Sequence, residues 1–310
     1  MNERVSVIIP TYKRPVEYLA RSIDSVRSQS YENIEIIVID DSPDSFESRP
    51  DIKKYIESLP AGTVRYLQNP TNIGGSLSRN RGMDQATGDF ITFLDDDDEY
   101  LPGKVERQVK YMQDHDADLS FSSMIMYNSS GKVVDARYHA DIPSFDNQAL
   151  IKYHLMHHMT GTPTFMFRAE KLREIGGFED VRMGQEFYLM LKAIERGLKI
   201  GYINACDVKI YKHRNGGISQ GKNKIEGENA LYEFKKKYFP LLTSEEIRRI
   251  RFRHHAVLFV AYLRNNRIIS ALSAGLTALL ISPCLFVQEA TRFIKKIIKY
   301  KRSEKDKQYV

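Results

Sequence analysis

Phe90-Ile91-Thr92-Phe93-Leu94-Asp95-Asp96-Asp97-Asp98-Glu99 is a short apolar run that ends abruptly in five consecutive acids. An uninterrupted run of this length reads as a strand buried on both faces. The acids that follow repel one another, by on the order of 4 kcal/mol for a like pair ~4 Å apart at an effective dielectric of 20. A fold keeps such a cluster at a strand end when something positive goes there; otherwise it is a solvated loop. Oxygen-only ligands select hard cations, Mg²⁺ or Mn²⁺, which leave coordination positions for waters and substrate phosphates. Its place directly after a strand favours the cation.

Working outward, the pattern recurs. Residues 5–9 form an apolar run stopped by Pro10, and residues 34–39 another stopped by Asp40-Asp41. Between them Val16, Leu19, Ala20, Ile23 and Val26 fall at helical spacing over residues 16–28. Strand signals at 64–67 and 90–94 and helical segments at 52–59, 76–85 and 104–113 complete a strand–helix alternation. It predicts an α/β fold with a doubly wound, mostly parallel sheet. Such sheets carry their chemistry at the carboxyl ends of strands. Here those ends hold Pro10-Thr11-Tyr12-Lys13-Arg14, Asp40-Asp41-Ser42 and the acidic run. From residue 119 the alternation loosens, with strands expected at 119–127, 162–168, 200–203 and 208–211 and helices near 147–158 and 185–196. The predicted organisation is a domain over 1–222, made of a first half (1–118) and a second half (119–222) packed on it, then a helical tail over 223–310.

Composition narrows the function. With 42% hydrophobic and 28% charged residues, the chain is neither disordered nor collagen-like. Cys206 and Cys284 have no CxxC or spaced-histidine companions, so neither a disulfide framework nor a structural zinc site is expected, and a reducing, cytoplasmic setting fits. The apolar stretch after Arg4 is too short for a signal-peptide core. Neither GxGxxG nor GxxxxGK[ST] occurs, which counts against dinucleotide oxidoreductases and P-loop enzymes. The net charge of +6 is a property of the tail: residues 248–310 carry 14 Lys and Arg against 3 Asp and Glu, the rest 32 against 37. Interleaved with aliphatic runs, that tail suits anionic lipid headgroups, and no nucleic-acid partner is expected.

Residues 268–288 contain no charge, and 21 residues could cross a hydrocarbon core of about 30 Å. Ser270, Ser273, Thr277, Ser282 and Pro283 dilute the run. Arg264 and Arg267 precede it, and Arg292, Lys295, Lys296 and Lys299 follow. Basic residues on both sides argue against a simple span. Beyond it Phe293, Ile294, Ile297 and Ile298 share one helical face. The expectation is peripheral or monotopic docking at the inner face of the cell membrane.

Around the acidic run the chemistry points to a nucleotide. Tyr12 offers a ring for a base to stack on, and Asp40 or Asp41 an acceptor for an imide N–H. Asn72-Ile73-Gly74-Gly75 precedes a helix with Arg79 and Arg81; glycines let backbone come close, and an arginine can pair with diphosphate oxygens. Taken with Val5-Ser6-Val7-Ile8-Ile9-Pro10-Thr11-Tyr12, Gln29-Ser30-Tyr31, Glu35-Ile36-Ile37-Val38-Ile39-Asp40-Asp41, Ser78-Arg79-Asn80-Arg81-Gly82, Gly88-Asp89-Phe90-Ile91 and the acidic run, the order and spacing resemble the family-2 glycosyltransferases of GT-A fold. The resemblance covers residues 4–105 closely and continues more loosely to about 215.

It implies an inverting transferase that uses a nucleotide-sugar, expected to be a UDP-sugar, with Mn²⁺ or Mg²⁺, and a glycan or lipid-linked acceptor as in bacterial surface-polysaccharide synthesis. Carried over position by position, the Pro10-Thr11-Tyr12 strand end and Asp41 would contact the nucleotide, with Tyr12 and Asp41 at the base and Arg79 helping to hold it. Asp95-Asp96-Asp97 covers the D-x-D motif: Asp97 as metal ligand, Asp95 or Asp96 near the ribose, with Asp98 available to a register one step later. His213 resembles the histidine that completes metal coordination in some members. Gly161-Thr162-Pro163-Thr164 occupies the place of a loop beside donor and acceptor, whereas His157-His158 reads as structural.

Inverting transfer needs a general base for the acceptor hydroxyl. Ile175-Gly176-Gly177-Phe178-Glu179-Asp180 followed by Gln185-Glu186 resembles the family's GGFDE…ED stretch, in which the aspartate is the base. Here the pair is Gln-Glu, so the resemblance makes Glu186 the catalytic base, with Asp180 the lesser candidate. The substitution keeps open a non-catalytic, nucleotide-binding homologue. A sugar nucleotidyltransferase would want a GxGTRxxPxT-like signature after the first strand, which Pro10-Thr11-Tyr12-Lys13 is not.

Overall fold

The computed structural model describes residues 3–128, 131–159, 161–181, 183–212 and 221–291, distributed over two compact units, 1–217 and 218–310. In the first unit the apolar runs become β1 (Val5–Thr11), β2 (Ile34–Asp40), β3 (Val64–Gln68) and β4 (Phe90–Phe93), joined by α1 (Val16–Arg27), α2 (Arg49–Glu57) and α3 (Gly75–Gln85). They pair in parallel in the order β3-β2-β1-β4. Ile8, Ile37, Ile39, Ile91 and Phe93 enter one core, while Val7, Ile9, Ile36, Val38 and Phe90 enter the other. Burial on both faces explains why these strands are apolar throughout. Helix α3 lies tightly on β1: a Cβ at Gly82 would come within 2.4 Å of Ile8 Cγ2.

After β4 come β5 (Glu99–Tyr100), α4 (Lys104–Asp114), β6 (Leu119–Asn128), β7 (Val133–Arg137), α5 (Asn147–His157), β8 (Phe165–Arg168), α6 (Ala169–Glu174), α7 (Gln185–Glu195) and β9 (Ile200–Lys212). The strands among these elements extend the sheet of the first half. Strand β8 pairs antiparallel with both β4 and β6, and the order continues β4-β8-β6-β9-β5, with β7 on β6. Phe165 and Phe167 enter one core and Met166 the other, so β8 must be covered on both faces. Residues 162–164, expected in the strand, form a 3₁₀ turn around Pro163, which has no N–H to give a ladder. The two short strands expected at 200–211 are one 13-residue strand. The polar stretch Asn204-Ala205-Cys206-Asp207 is a register irregularity opposite residues 122–125, a bulge and not a break. Pairing of Glu99 with Lys209 and Tyr100 with Val208 returns the end of β9 to the acidic run.

The second unit is helical: α8 (Gly221–Lys236), α9 (Ser244–Arg264), α10 (Ile268–Ile281) and α11 (Pro283–Thr291). A capping box starts α9, with reciprocal hydrogen bonds between Thr243 and Glu246. Helix α10 buries a face of small residues, Ala271, Ala274, Gly275 and Ala278, with Gly275 against Phe259 of α9. Ile269, Leu272, Leu276 and Leu280 lie exposed. The uncharged run is broken at Ser282, where α10 and α11 meet at a 120° bend, and among the described residues no single helix is long and apolar enough to cross a membrane.

Candidate active site

Beyond β4 the acidic run makes a tight turn, closed by the Asp98 N–H donating to the Asp95 carbonyl at 3.1 Å, and its side chains divide between two environments. Asp95 and Asp97 reach the open side, at 36% and 17% side-chain exposure, whereas Asp96 and Asp98 turn inward and are buried. Asp96 accepts from Thr11 Oγ1 at 2.7 Å and from Arg14 Nε at 3.1 Å. Asp98 accepts from the Tyr211 amide at 3.0 Å. Burial, opposed by Arg14 and reinforced by Asp97 and Asp95, pushes the Asp96 carboxyl up to about 6. Burial first, then Asp95 and Asp97, raises Asp98 well above the carboxylate range. Charge on the half-buried Asp95 and Asp97 is met by arginines: Arg14 Nη2 lies 3.0 Å from Asp97 Oδ2, and Arg79 Nη2 binds Asp95 Oδ1.

At the neighbouring strand ends the expected nucleotide residues part company. Tyr12 leaves its ring 45% exposed, with Lys13 Nζ 5.4 Å from the centroid. Thr11 is spent on Asp96, and Pro10 is half-buried in β1 opposite Ile39. Asp40 is wholly internal, accepting from Arg49, Tyr66 and the Ser42 amide. Asp41 is also buried, accepting from Asn69 Nδ2 at 2.7 Å and from the Ile73 and Gly74 amides at 2.8 Å each. It therefore fixes the loop between β3 and α3.

That loop opens onto Arg79, whose guanidinium spans two elements. It binds Asp95 through Nη2 and Gln185 Oε1 through Nη1 at 2.7 Å. Gly75 makes room, since a Cβ there would meet Arg79 Nη1 at 3.1 Å. Asn80, one residue on, clamps the Gly-Gly-Phe stretch: its amide donates to the Phe178 carbonyl and accepts from the Phe178 N–H, each at 2.8 Å. These contacts bring α7 to the site, with Gln185 on the arginine and Glu186 next to it. Glu186 is half-buried, and burial raises its carboxyl above the usual range, opposed by Arg79 and assisted by Asp95. His154 of α5 braces the same turn, its Nε2 3.0 Å from the Phe187 carbonyl and its ring stacked on Phe187 at 4.3 Å. Thr162, Pro163 and Thr164 are buried. His213 lies outside the described residues.

The sequence matches glycosyl transferase family 2 over residues 6–176, more than half of the chain. The chain belongs to that family. A putative teichuronic acid biosynthesis glycosyltransferase, TuaG of Bacillus subtilis, is 28% identical over 84% of this chain and 95% of its own. A GalNAc(5)-diNAcBac-PP-undecaprenol beta-1,3-glucosyltransferase of Campylobacter jejuni is 40% identical over 32% of this chain and 31% of its own. Among solved structures, S. aureus TarS residues 1–349 in complex with UDP-GlcNAc superposes with a TM-score of 0.60 at 17% identity, covering 89% of this chain and 91% of that one. The mannosyltransferase PcManGT of Pyrobaculum calidifontis, in complex with GDP-Man and Mn²⁺, gives 0.58 at 16%, covering 94% and 80%. The fold of this glycosyltransferase is GT-A.

Among the described residues no three His, Cys, Asp or Glu side chains converge as a preformed metal cage. The donor set nevertheless fits a hard cation of the kind that takes one or two carboxylates and fills its shell with waters and substrate phosphates. Asp95 and Asp97 supply two such oxygen donors at i and i+2 on the open side. Arg14, Arg21 and Gln185 had no assigned role at the sequence level. The signal for Arg14 was available: it follows β1, and β1 pairs with the strand that ends in the acids.

Proposed function

We propose that this glycosyltransferase moves a sugar, with inversion, from a UDP-sugar to a hydroxyl of a glycan or lipid-linked acceptor in bacterial surface-polysaccharide synthesis. One observation carries the reading. Arg79 joins Asp95 at the end of β4 to Gln185 at the start of α7, so the diphosphate-side carboxylates and the base helix share one guanidinium. In this arrangement residues 1–118 hold the donor and residues 119–222 present the base and the acceptor. Tyr12 stacks on the nucleobase, and Asp41 shapes the loop against which the nucleotide lies.

Glu186 takes the proton of the acceptor hydroxyl as its oxygen forms a bond to the anomeric carbon and the bond to the diphosphate oxygen breaks. Its raised carboxyl pKa makes it a stronger base than an exposed glutamate. Arg79 neutralises charge gathering on the departing diphosphate. A Mn²⁺ or Mg²⁺ on Asp97, with Asp95 beside it and His213 as a further ligand, would offset the same charge as a Lewis acid. Relatives support the substrate class: one is named for undecaprenol-linked substrate, another for teichuronic acid biosynthesis, and TarS holds UDP-GlcNAc. The exposed Ile269, Leu272, Leu276 and Leu280 of α10, beside Arg264 and Arg267, form the membrane-facing part of the tail, at the inner face of the cell membrane.

A thermal-shift panel of UDP-, GDP- and dTDP-sugars with and without Mn²⁺ tests the reading, since ligand that binds only the native state raises its apparent stability. UDP-sugars with Mn²⁺ should give the largest rise in Tm. A larger rise with GDP-mannose would overturn the donor, and none with any nucleotide the whole proposal.

A further inference from the structure

The fork of Arg14 is divided between two aspartates with different environments. Nε lies 3.1 Å from Oδ1 of Asp96, whose other oxygen accepts from Thr11, so that carboxylate is a fixed internal partner. Nη2 lies 3.0 Å from Oδ2 of Asp97, on the open side. The backbone around Arg14 is held, with Lys13 at φ 48° and Pro15 serving as the N-cap of α1. The side chain itself is 27% exposed, with its guanidinium carbon over the Tyr18 ring, 5.7 Å from the centroid.

We infer that Arg14 is a built-in counter-ion that a divalent cation must displace from Asp97. The inference rests on the cation-dependent reading above. A guanidinium and a doubly charged ion cannot share one carboxylate oxygen without strong like-charge repulsion. Binding of the cation then breaks the Nη2 contact and leaves the Nε contact to Asp96 as a pivot. Arg14 thereby lowers cation affinity while no donor is bound and keeps the acids neutralised in the meantime. Once released, its Nη2 edge faces the same negative charge that the cation serves. Arg21 supplies an internal comparison: it donates to the Asp97 backbone carbonyl at 2.6 Å and pairs its charge with Glu99 at 3.1 Å.

The test is Mn²⁺ affinity of the full chain, without nucleotide, by titration calorimetry. Arg14→Gln should bind Mn²⁺ roughly fivefold or more tightly than the parent, the effect of removing a unit charge ~4 Å away even at the dielectric of water. Arg21→Gln should change it by no more than about twofold, as befits a partly exposed pair. Arg14→Lys, which keeps the charge on Asp96 but loses the fork, should fall between. In EDTA Arg14→Gln should melt below the parent and gain more from added Mn²⁺, a readout independent of turnover. Equal or weaker Mn²⁺ binding by Arg14→Gln, or equal tightening by Arg21→Gln, overturns the displacement. If the parent binds no Mn²⁺ and still binds UDP-sugar, the cation-dependent reading fails and takes this inference with it.

Discussion

Burial raises the Glu186 carboxyl pKa and outweighs the lowering effects of a hydrogen bond from its own backbone N–H and of Arg79. As the proposed base, Glu186 must be ionised, so kcat/KM should fall on the acid side at a pH above the ordinary carboxylate value of about 4.3. Glu186→Gln should keep donor affinity and lose transfer by roughly 10²- to 10⁴-fold; a variant that still turns over at the parental rate would move the role elsewhere. His139 makes a separate prediction. Burial lowers its pKa to about 4, against an ordinary 6.5, and Asp141 only partly opposes that shift. Between those values the unfolded chain binds a proton that the folded one does not, so stability should decline as pH drops from 6.5 towards 4. The scale is on the order of 3 kcal/mol. Urea titrations across that window should show a shallower pH slope for His139→Gln; an unchanged slope would mean that the histidine titrates normally.

At the scale of elements, α3 sets the distance between the loop after β3 and the start of α7. It can do so only because Gly82 lets it sit on Ile8. Gly82→Ala should therefore destabilise by about 1–3 kcal/mol through overpacking. Combined with Ile8→Ala, which removes the clashing Cγ2, the loss should be less than the sum of the singles; strict additivity in denaturant melts would rule out that contact as the cause. The same helix carries Arg79 towards Asp95 and Asn80 towards Phe178, so its displacement should also weaken donor binding. Strand β8 plays the matching part in the sheet. Four residues long, it joins the parallel half to β6 and β9 and brings residues from both halves to one edge.

For the molecule as a whole, the basic and apolar tail predicts a measurable partition. The full chain should co-sediment with vesicles containing anionic phosphatidylglycerol, weakly with pure phosphatidylcholine, and less in high salt. Leu272→Glu with Leu276→Glu, both exposed on α10 and so tolerable to the fold, should abolish sedimentation. Undiminished binding, or a switch from dimer to monomer in place of a lipid effect, would refute membrane docking. The amino-acid sequence by itself determined the parallel strands, because residues buried on two faces must be apolar without interruption, and it located the acids because charge cannot follow such a run unless the strand has ended. It also marked Gln185-Glu186 as the start of a helix. It did not show that Asp41 is taken up by the loop between β3 and α3, that Asp96 and Asp98 turn inward, or that Arg14 and Arg79 neutralise Asp97 and Asp95. Those pairings join residues 16 to 83 positions apart along the chain. A side chain's partner is settled by which strands lie adjacent and by which face it leaves, and both are properties of the assembled sheet.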